Sequence, residues 1–323
     1  MIGLLLWTTL PVLGQRKGRQ NVQPVEISTP VESVNFAWRN FLPLTKPTIS
    51  LLVVVTLVPA LLLASPELPG FTLMLATIVG TFLSAASSAV FNHLLDADLD
   101  VVMNRTRGRP VPSGQVSPLA ALIFGSVLAV ASLVILFIWT TPLAACVAFL
   151  ANAFYVLGYT LCLKRYTDQN IVIGGAAGAV GPLIGWAAAT GNIGWPAWVL
   201  FAVIFLWTPP HFWALAIKYQ QDYATANIPM LPVTRGDEVT RLHIFLYTLT
   251  LIPAVGALYF FGAAGWVYLV VGMASTLYFC WKAWVLYRAH SNEAAMPLFH
   301  YSCLYLFAVF GGLTLDRLLG GLS

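Results

Sequence analysis

"FTLMLATIVGTFLSAASSAVFNHLLDADLD", Phe71 to Asp100, decides how the rest of the chain is read. Most of it is apolar without a break, long enough as helix to cross a hydrocarbon core about 30 Å thick. Its end turns polar with a period. Ser84, Ser88, Asn92, Asp96 and Asp100 follow at intervals of four, which on a helix makes one slowly drifting stripe. Asp98 lies off that stripe and is expected in water. Small hydroxyls leading to an amide and two carboxylates are costly against lipid, so the stripe should face a cavity. Carboxylates one turn apart repel unless a cation lies between them, and the negative end of the helix dipole adds to that preference. Hard oxygen donors at this spacing suit Mg²⁺, which takes one or two protein carboxylates and fills its other positions with water and phosphate oxygens. Asn92, Asp96 and Asp100 are therefore candidate metal ligands. The simpler alternative is a helix that ends in water with acidic residues.

The same pattern extends over the chain. Its 323 residues are 59% hydrophobic and only 9% charged, against about a quarter charged in a soluble domain. Apolar runs fall at about 47–64, 71–95, 117–138, 142–161, 171–189, 197–217, 241–261, 265–287 and 299–319. They are continuous rather than alternating, which excludes a transmembrane barrel. The fold class expected is all-α: a polytopic membrane protein with nine transmembrane helices around a central cavity opening near the cytoplasmic face. Residues 46–320 form this domain. Residues 1–45 read as a partly disordered cytoplasmic arm, and the first 14 residues as a tail or the product of an upstream start rather than a signal peptide. Cys146, Cys162, Cys280 and Cys303 show no metal or disulfide spacing and read as small buried packing residues.

Charge gives the orientation. With nine spans, every Lys and Arg except Arg317 falls on or near one side. The positive-inside rule makes that side cytoplasmic, in the inner (plasma) membrane, with the N-terminus there too. The second, fourth and sixth spans all run toward it, ending in "NHLLDADLD", "LKRYTD" and "IKYQQDY". Three charged clusters thus meet the membrane at one level. After the first cluster come Arg105, Arg107 and Arg109, then a Pro and Gly turn. Arginine binds phosphate in bidentate fashion, and carboxylates with arginines in one loop fit a metal-diphosphate group. Lys164 and Arg165 at the end of the fourth span could complete the anion clamp. Any one of these could also be ordinary positive-inside charge.

The sixth span carries Pro209 and Pro210, which should kink it or interrupt its hydrogen-bond ladder. Beyond them His211, Leu215, Lys218 and Asp222 follow helical spacing on one face. A second helix can therefore offer a carboxylate from the opposite wall. His211 lies roughly 10 Å above the level of Lys218, and a histidine inside the bilayer is functional by default; the alternative is a histidine bonded to a carbonyl freed by the prolines. Gly174, Gly175, Gly178, Gly181 and Gly185 on the fifth span allow close helix packing, or make room for a flat ligand. Phe154, Tyr155, Trp207, Phe212 and Trp213 are candidates for stabilising a carbocation, or plain packing residues.

"NHLLDADLD" and "RPVPSG" resemble the motif and following segment of the intramembrane aromatic prenyltransferase (UbiA-type) superfamily. "MNRTRGRPVPSG", "YTLCLKRYTDQNIVIGGAAGAVGPLIGWAA", "TPPHFWALAIKYQQDY" and "NIPMLPV" narrow this to its haem-modifying branch, the protoheme IX farnesyltransferase family. The resemblance covers about residues 40–315. It implies Mg²⁺, farnesyl diphosphate and haem b as substrates' and cofactor's identities, with haem O as product. Membrane lipids are the surroundings, and haem A synthase or terminal-oxidase assembly the partners by analogy; no nucleic acid is expected. By this resemblance Asn92, Asp96, Asp100, Lys164 and Asp222 are the catalytic set, with Asn92, Asp96, Asp100 and Asp222 toward metal. Arg105, Arg109, Arg165, Lys218, His211 and His93 bind substrates, one of the histidines (His211, then His93, then His300) on the haem iron. Many superfamily members have two carboxylates four apart in the second motif; here Asp222 is followed at that interval by Ala226. That leaves a second metal site short of a ligand.

Two other readings stay open. A prenyltransferase could use a quinone precursor or a chlorophyll-like acceptor. An ion-coupled carrier would also show membrane carboxylates and a Pro-containing helix, although the charges cluster at one face and no inverted repeat is evident.

Overall fold

Prolines and small hydroxyls set where the spans begin. Pro47, Pro118 and Pro142 occupy the first helical position, where a missing N–H costs nothing. Ser117 and Thr141 cap the latter two, accepting from Ala120 N at 3.2 Å and Ala144 N at 3.1 Å. The computed structural model describes residues 38–289 and 291–320. The arm expected over 1–45, including Arg16, Lys17 and Arg19, lies outside the described residues up to position 37. Its last part forms two 3₁₀ turns, Trp38–Asn40 and Leu42–Thr45, with Leu44 buried.

Among the described residues, helices long and apolar enough to span a membrane are α1 (Pro47–Ala64), α2 (Phe71–Leu95), α3 (Pro118–Trp139), α4 (Pro142–Tyr166), α5 (Asn170–Thr190), α6 (Trp195–Lys218), α7 (Leu231–Phe260), α8 (Trp266–Arg288) and α9 (Ala295–Leu318). The chain is a multi-pass membrane protein. Three details depart from expectation. α7 starts earlier than position 241, but Gly236, at φ 79° and ψ 171°, separates its first turn from the span proper. α6 runs uninterrupted through Pro209 and Pro210; the prolines remove two donors from the ladder without ending the helix. Cys146 and Cys162 are exposed rather than buried, because a small apolar residue can face lipid as well as protein.

Consecutive spans pack on one another and α9 returns to α1, so the bundle closes on itself. α1 also packs on α5, and α6 on α9, across the interior. The α1–α5 contact depends on glycine. A Cβ on Gly185 would sit 2.6 Å from Leu57 O, and one on Gly181 would sit 2.9 Å from Val53 O. Gly174 and Gly175 press on Tyr159 and Thr208 in the same way. Gly178 differs: a Cβ there would meet nothing within 4 Å.

The uncharged face has its own lock. Asp316 on α9 accepts from Gly265 N at 2.6 Å and Tyr268 N at 3.3 Å, capping α8. Arg317 donates to Leu62 O, Ser65 O and Pro66 O, closing the end of α1. A carboxylate on a helix N-terminus and a cation on a C-terminus both complement the helix dipoles. This accounts for the one basic residue placed away from the others.

Candidate active site

α2 and α4 run in the same direction and meet in one register. Asn152 Nδ2 donates to Ser84 O at 3.1 Å, Asn92 Nδ2 to Thr160 Oγ1 at 3.3 Å, and Lys164 Nζ to Asp96 Oδ2 at 2.5 Å, each pair 68 residues apart. The Ser84–Asp96 stripe therefore faces α4 rather than lipid. The lower part of α4, Phe154–Leu163, is wound as π-helix, a form concentrated at functional sites. Thr160 Oγ1 bonds back to Tyr155 O at 3.0 Å within it. This winding helps Thr160 and Lys164 reach successive polar positions of α2.

At Asp96 the helix turns. Asp96 sits at φ −94° and ψ 6°, and a short helix, Ala97–Val102, follows. The stripe thus bends instead of running straight, although Asp100 N still bonds Asp96 O at 2.8 Å. Asp100 is buried, and both its oxygens accept from Arg109 Nη1 at 2.8 Å. Asp98, off the stripe as expected, is 62% exposed and pairs with Arg165 at 2.8 Å. That hydrogen bond holds the Asp98 carboxyl below its usual range. Arg165 also donates to Leu95 O, so it braces the loop beside the cluster.

A third cation completes the group. Lys46 Nζ donates to Asn92 Oδ1 at 2.6 Å. Its backbone is left-handed at φ 43° and ψ 61° immediately before Pro47, a conformation rare for a residue with a side chain. Burial, then the nearby Arg109 and Lys164 charges, pulls the Lys46 ammonium down to about 7. Each polar position of the motif therefore has its own cation: Asn92 with Lys46, Asp96 with Lys164, Asp100 with Arg109. Within the motif, Asp96 Oδ1 is buried with no hydrogen-bond partner among the described residues.

These donors suit a hard divalent cation. They are oxygens, one is unpartnered, and two carboxylates stand one turn apart. Among the described residues no group of three or more His, Cys, Asp or Glu gathers; Mg²⁺ needs no such cage, since substrate oxygens and water supply the rest.

The other expected residues are placed differently. Arg105 lies 4.7 Å from the Tyr219 ring centroid and donates to Tyr223 OH at 3.2 Å, tying the α2–α3 loop to the end of α6. Lys218 is exposed, over the Tyr219 ring at 5.4 Å. Asp222 is half-buried on a short helix, Gln220–Thr225, with no ion pair among the described residues. Among the described residues no hydrogen bond or ion pair joins it to the Asn92–Asp96 group. Arg235 pairs with Asp168 at 2.6 Å and Asn170 donates to Pro229 O at 3.3 Å, so the loops after α4 and α6 also interlock.

His211 is buried and stacked between Trp207 and Phe299, with centroids at 4.3 and 4.7 Å. Its Nδ1 lies 2.6 Å from Ser302 Oγ, and that hydroxyl donates to Phe299 O at 2.6 Å. A hydroxyl has one proton, so Nδ1 must be the donor. Nε2 then keeps its lone pair, with no hydrogen-bond partner among the described residues. His211 thus bonds α9, not a carbonyl freed by the prolines. His93 is buried with both ring nitrogens unpartnered among the described residues, and His300 is exposed. Tyr155 and Tyr159 lie 5.3 Å apart on the π segment. Trp207 donates to Ser302 O at 2.8 Å and Trp213 is buried in the core.

The sequence pattern of the UbiA prenyltransferase family matches residues 53–309. The chain belongs to that family. Its relatives include protoheme IX farnesyltransferase of Gloeobacter violaceus, 44% identical over 289 residues, covering 89% of this chain and 95% of the relative. Protoheme IX farnesyltransferase of Marinobacter nauticus is 44% identical over 296 residues, covering 92% and 98%. The fold resembles that of a UbiA homolog from Archaeoglobus fulgidus bound to DMAPP and Mg²⁺. That likeness has a TM-score of 0.64 at 14% identity, over 85% of this chain and 99% of the other. A structure described for digeranylgeranylglyceryl phosphate synthase gives 0.74 at 17% identity, over 87% and 99%.

Lys46, Thr160 and Ser302 were not singled out from the sequence. Lys46 looked like one more positive-inside charge. Thr160 and Ser302 are common in membrane helices. Only the Pro after Lys46, which fixes the entry to α1, distinguished any of them.

Proposed function

We propose that this enzyme transfers the farnesyl group of farnesyl diphosphate to a vinyl group of haem b, with addition of water, giving haem O and diphosphate. The observation that carries the reading is the buried Asn92–Asp96–Asp100 series, each member met by a basic side chain at the end of a membrane helix. The names of the similar proteins supply the acceptor and donor. The positive-inside rule supports a cytoplasmic basic face; the plasma membrane is the proposed location. The catalytic cavity opens near that face.

Asn92, Asp96 and Asp100 would hold Mg²⁺, with Asp222 offered from the short helix that follows α6. When bound, the metal neutralises diphosphate charge and makes it a better leaving group. Lys46, Lys164 and Arg109 stabilise the negative charge that grows as the allylic C–O bond breaks. Arg105, Arg165 and Lys218 form the rim of the anion site. The π-wound wall of α4 and the aromatic residues of α6 exclude water from the farnesyl cation, and ring faces stabilise it. The haem vinyl group attacks C1 of that cation. Water adds to the new cation beside the porphyrin and loses a proton. His211 would hold the porphyrin: the Ser302 bond fixes its tautomer and leaves the Nε2 lone pair free to bind the haem iron as a neutral imidazole. His93 is the alternative ligand.

The purified protein should convert haem b and farnesyl diphosphate to haem O in the presence of Mg²⁺. A phenolic acid offered in place of haem b tests the quinone-precursor reading. Turnover of the phenolic acid with haem b untouched would replace the acceptor proposed here.

A further inference from the structure

We propose that Lys46 occupies Asn92 Oδ1 until the metal and diphosphate arrive together, and then exchanges partners. This deepens the diphosphate reading above and rests on it.

The oxygen inventory leads there. Asn92 Oδ1 accepts from Lys46, Asp96 Oδ2 from Lys164 and from Asn92 Nδ2, and both Asp100 oxygens from Arg109. Only Asp96 Oδ1 has no partner. A metal drawing on Asn92 must therefore displace an ammonium. Two carboxylates face three cations, so a divalent ion entering alone would raise the local charge further. A diphosphate reverses the balance: the displaced ammonium gains phosphate oxygens as the amide oxygen gains the metal. The two ligands then help each other, and the coupling is reciprocal by linkage.

Lys46 controls this exchange more cleanly than its neighbours. Lys164 and Arg109 each neutralise a buried carboxylate, so removing either strands a charge. Lys46 sits on a neutral amide. Its left-handed backbone before Pro47, with its N–H bonded to Pro43 O, fixes the direction of the side chain. The strained residue is held by the turns on either side of it.

The test uses purified full-length protein in detergent and Mn²⁺ binding followed by electron paramagnetic resonance, with and without inorganic pyrophosphate. Lys46→Met should bind Mn²⁺ alone about tenfold more tightly and lose most of the gain that pyrophosphate brings. A simple change in field would also tighten metal binding, so a double-mutant cycle separates the two. In an Asn92→Ala background the Lys46→Met effect on Mn²⁺ should fall below about twofold. Persistence of the full effect in that background overturns the exchange, as does unchanged or weaker Mn²⁺ binding in Lys46→Met alone. No acceptor or turnover is involved. If the cycle behaves as expected and no haem O forms, the acceptor reading fails while the exchange stands.

Discussion

At the scale of the residue, Asp96 is the centre of the account. It is fully buried, shares one oxygen with Lys164 and Asn92, and leaves the other unpartnered. Asp96→Asn should lower turnover by at least about a hundredfold, the usual scale for losing one electrostatic stabiliser of a developing charge. Asp98→Asn should change it by no more than about fivefold, because an exposed pair is worth about 1 kcal/mol or less. Steady-state rates at saturating farnesyl diphosphate compare them; equal losses would show that the motif acts only through loop structure. His211→Ala should remove the axial-ligand signature from the absorption spectrum of bound haem while metal-pyrophosphate binding persists. An unchanged spectrum, with His93→Ala altering it, would move the haem site to the end of α2. The sequence allowed the Asn92 stripe to be read because period-four polarity in an apolar helix has few other uses. Lys46 was not legible. Its pairing depends on α1 lying beside α2, and its charge resembled every other charge on that face.

At the scale of the element, helix ends and glycines carry the argument. Apolar length located the spans closely, since a bilayer imposes one length on each. The bend at Asp96, the π winding of α4 and the break at Gly236 were not legible, because each depends on how neighbouring helices pack. The glycines of α5 make a sharp comparison. Gly185→Ala places a methyl 2.6 Å from a backbone oxygen of α1, and should cost about 1–3 kcal/mol, as overpacking does. Gly178→Ala meets open space and should cost much less. Thermal unfolding in one detergent ranks the two; a larger loss at Gly178 would contradict the packing. Thus four of the five glycines are packing residues, and Gly178 is the one with room beside it. Sequence spacing could not separate them.

At the scale of the whole molecule, the ring of spans is held differently at its two faces. On the basic face three loops interlock through Arg165–Asp98, Arg105–Tyr223 and Arg235–Asp168. On the other, Asp316 and Arg317 cap the ends of α8 and α1. Arg317→Met frees three carbonyls and should cost about 1–3 kcal/mol, read as a lower melting temperature with the Mn²⁺ affinity unchanged. A loss of metal affinity without a loss of stability would mean that the far end of α1 controls the site directly. The charge asymmetry between the two faces was legible from where Lys and Arg fall among the spans; Arg317's task was not, because it is a contact between the first and last spans. The central claim is that this closed bundle transfers the prenyl group of a prenyl diphosphate to haem b, releasing diphosphate. The most direct measurement is mass spectrometry of the haem pool after incubating purified protein with haem b, farnesyl diphosphate and Mg²⁺. The account predicts a product heavier than haem b by one farnesyl group plus one hydroxyl group, absent when Mg²⁺ is chelated and absent from Asp96→Asn. Unmodified haem b from folded protein that binds metal and pyrophosphate would contradict it.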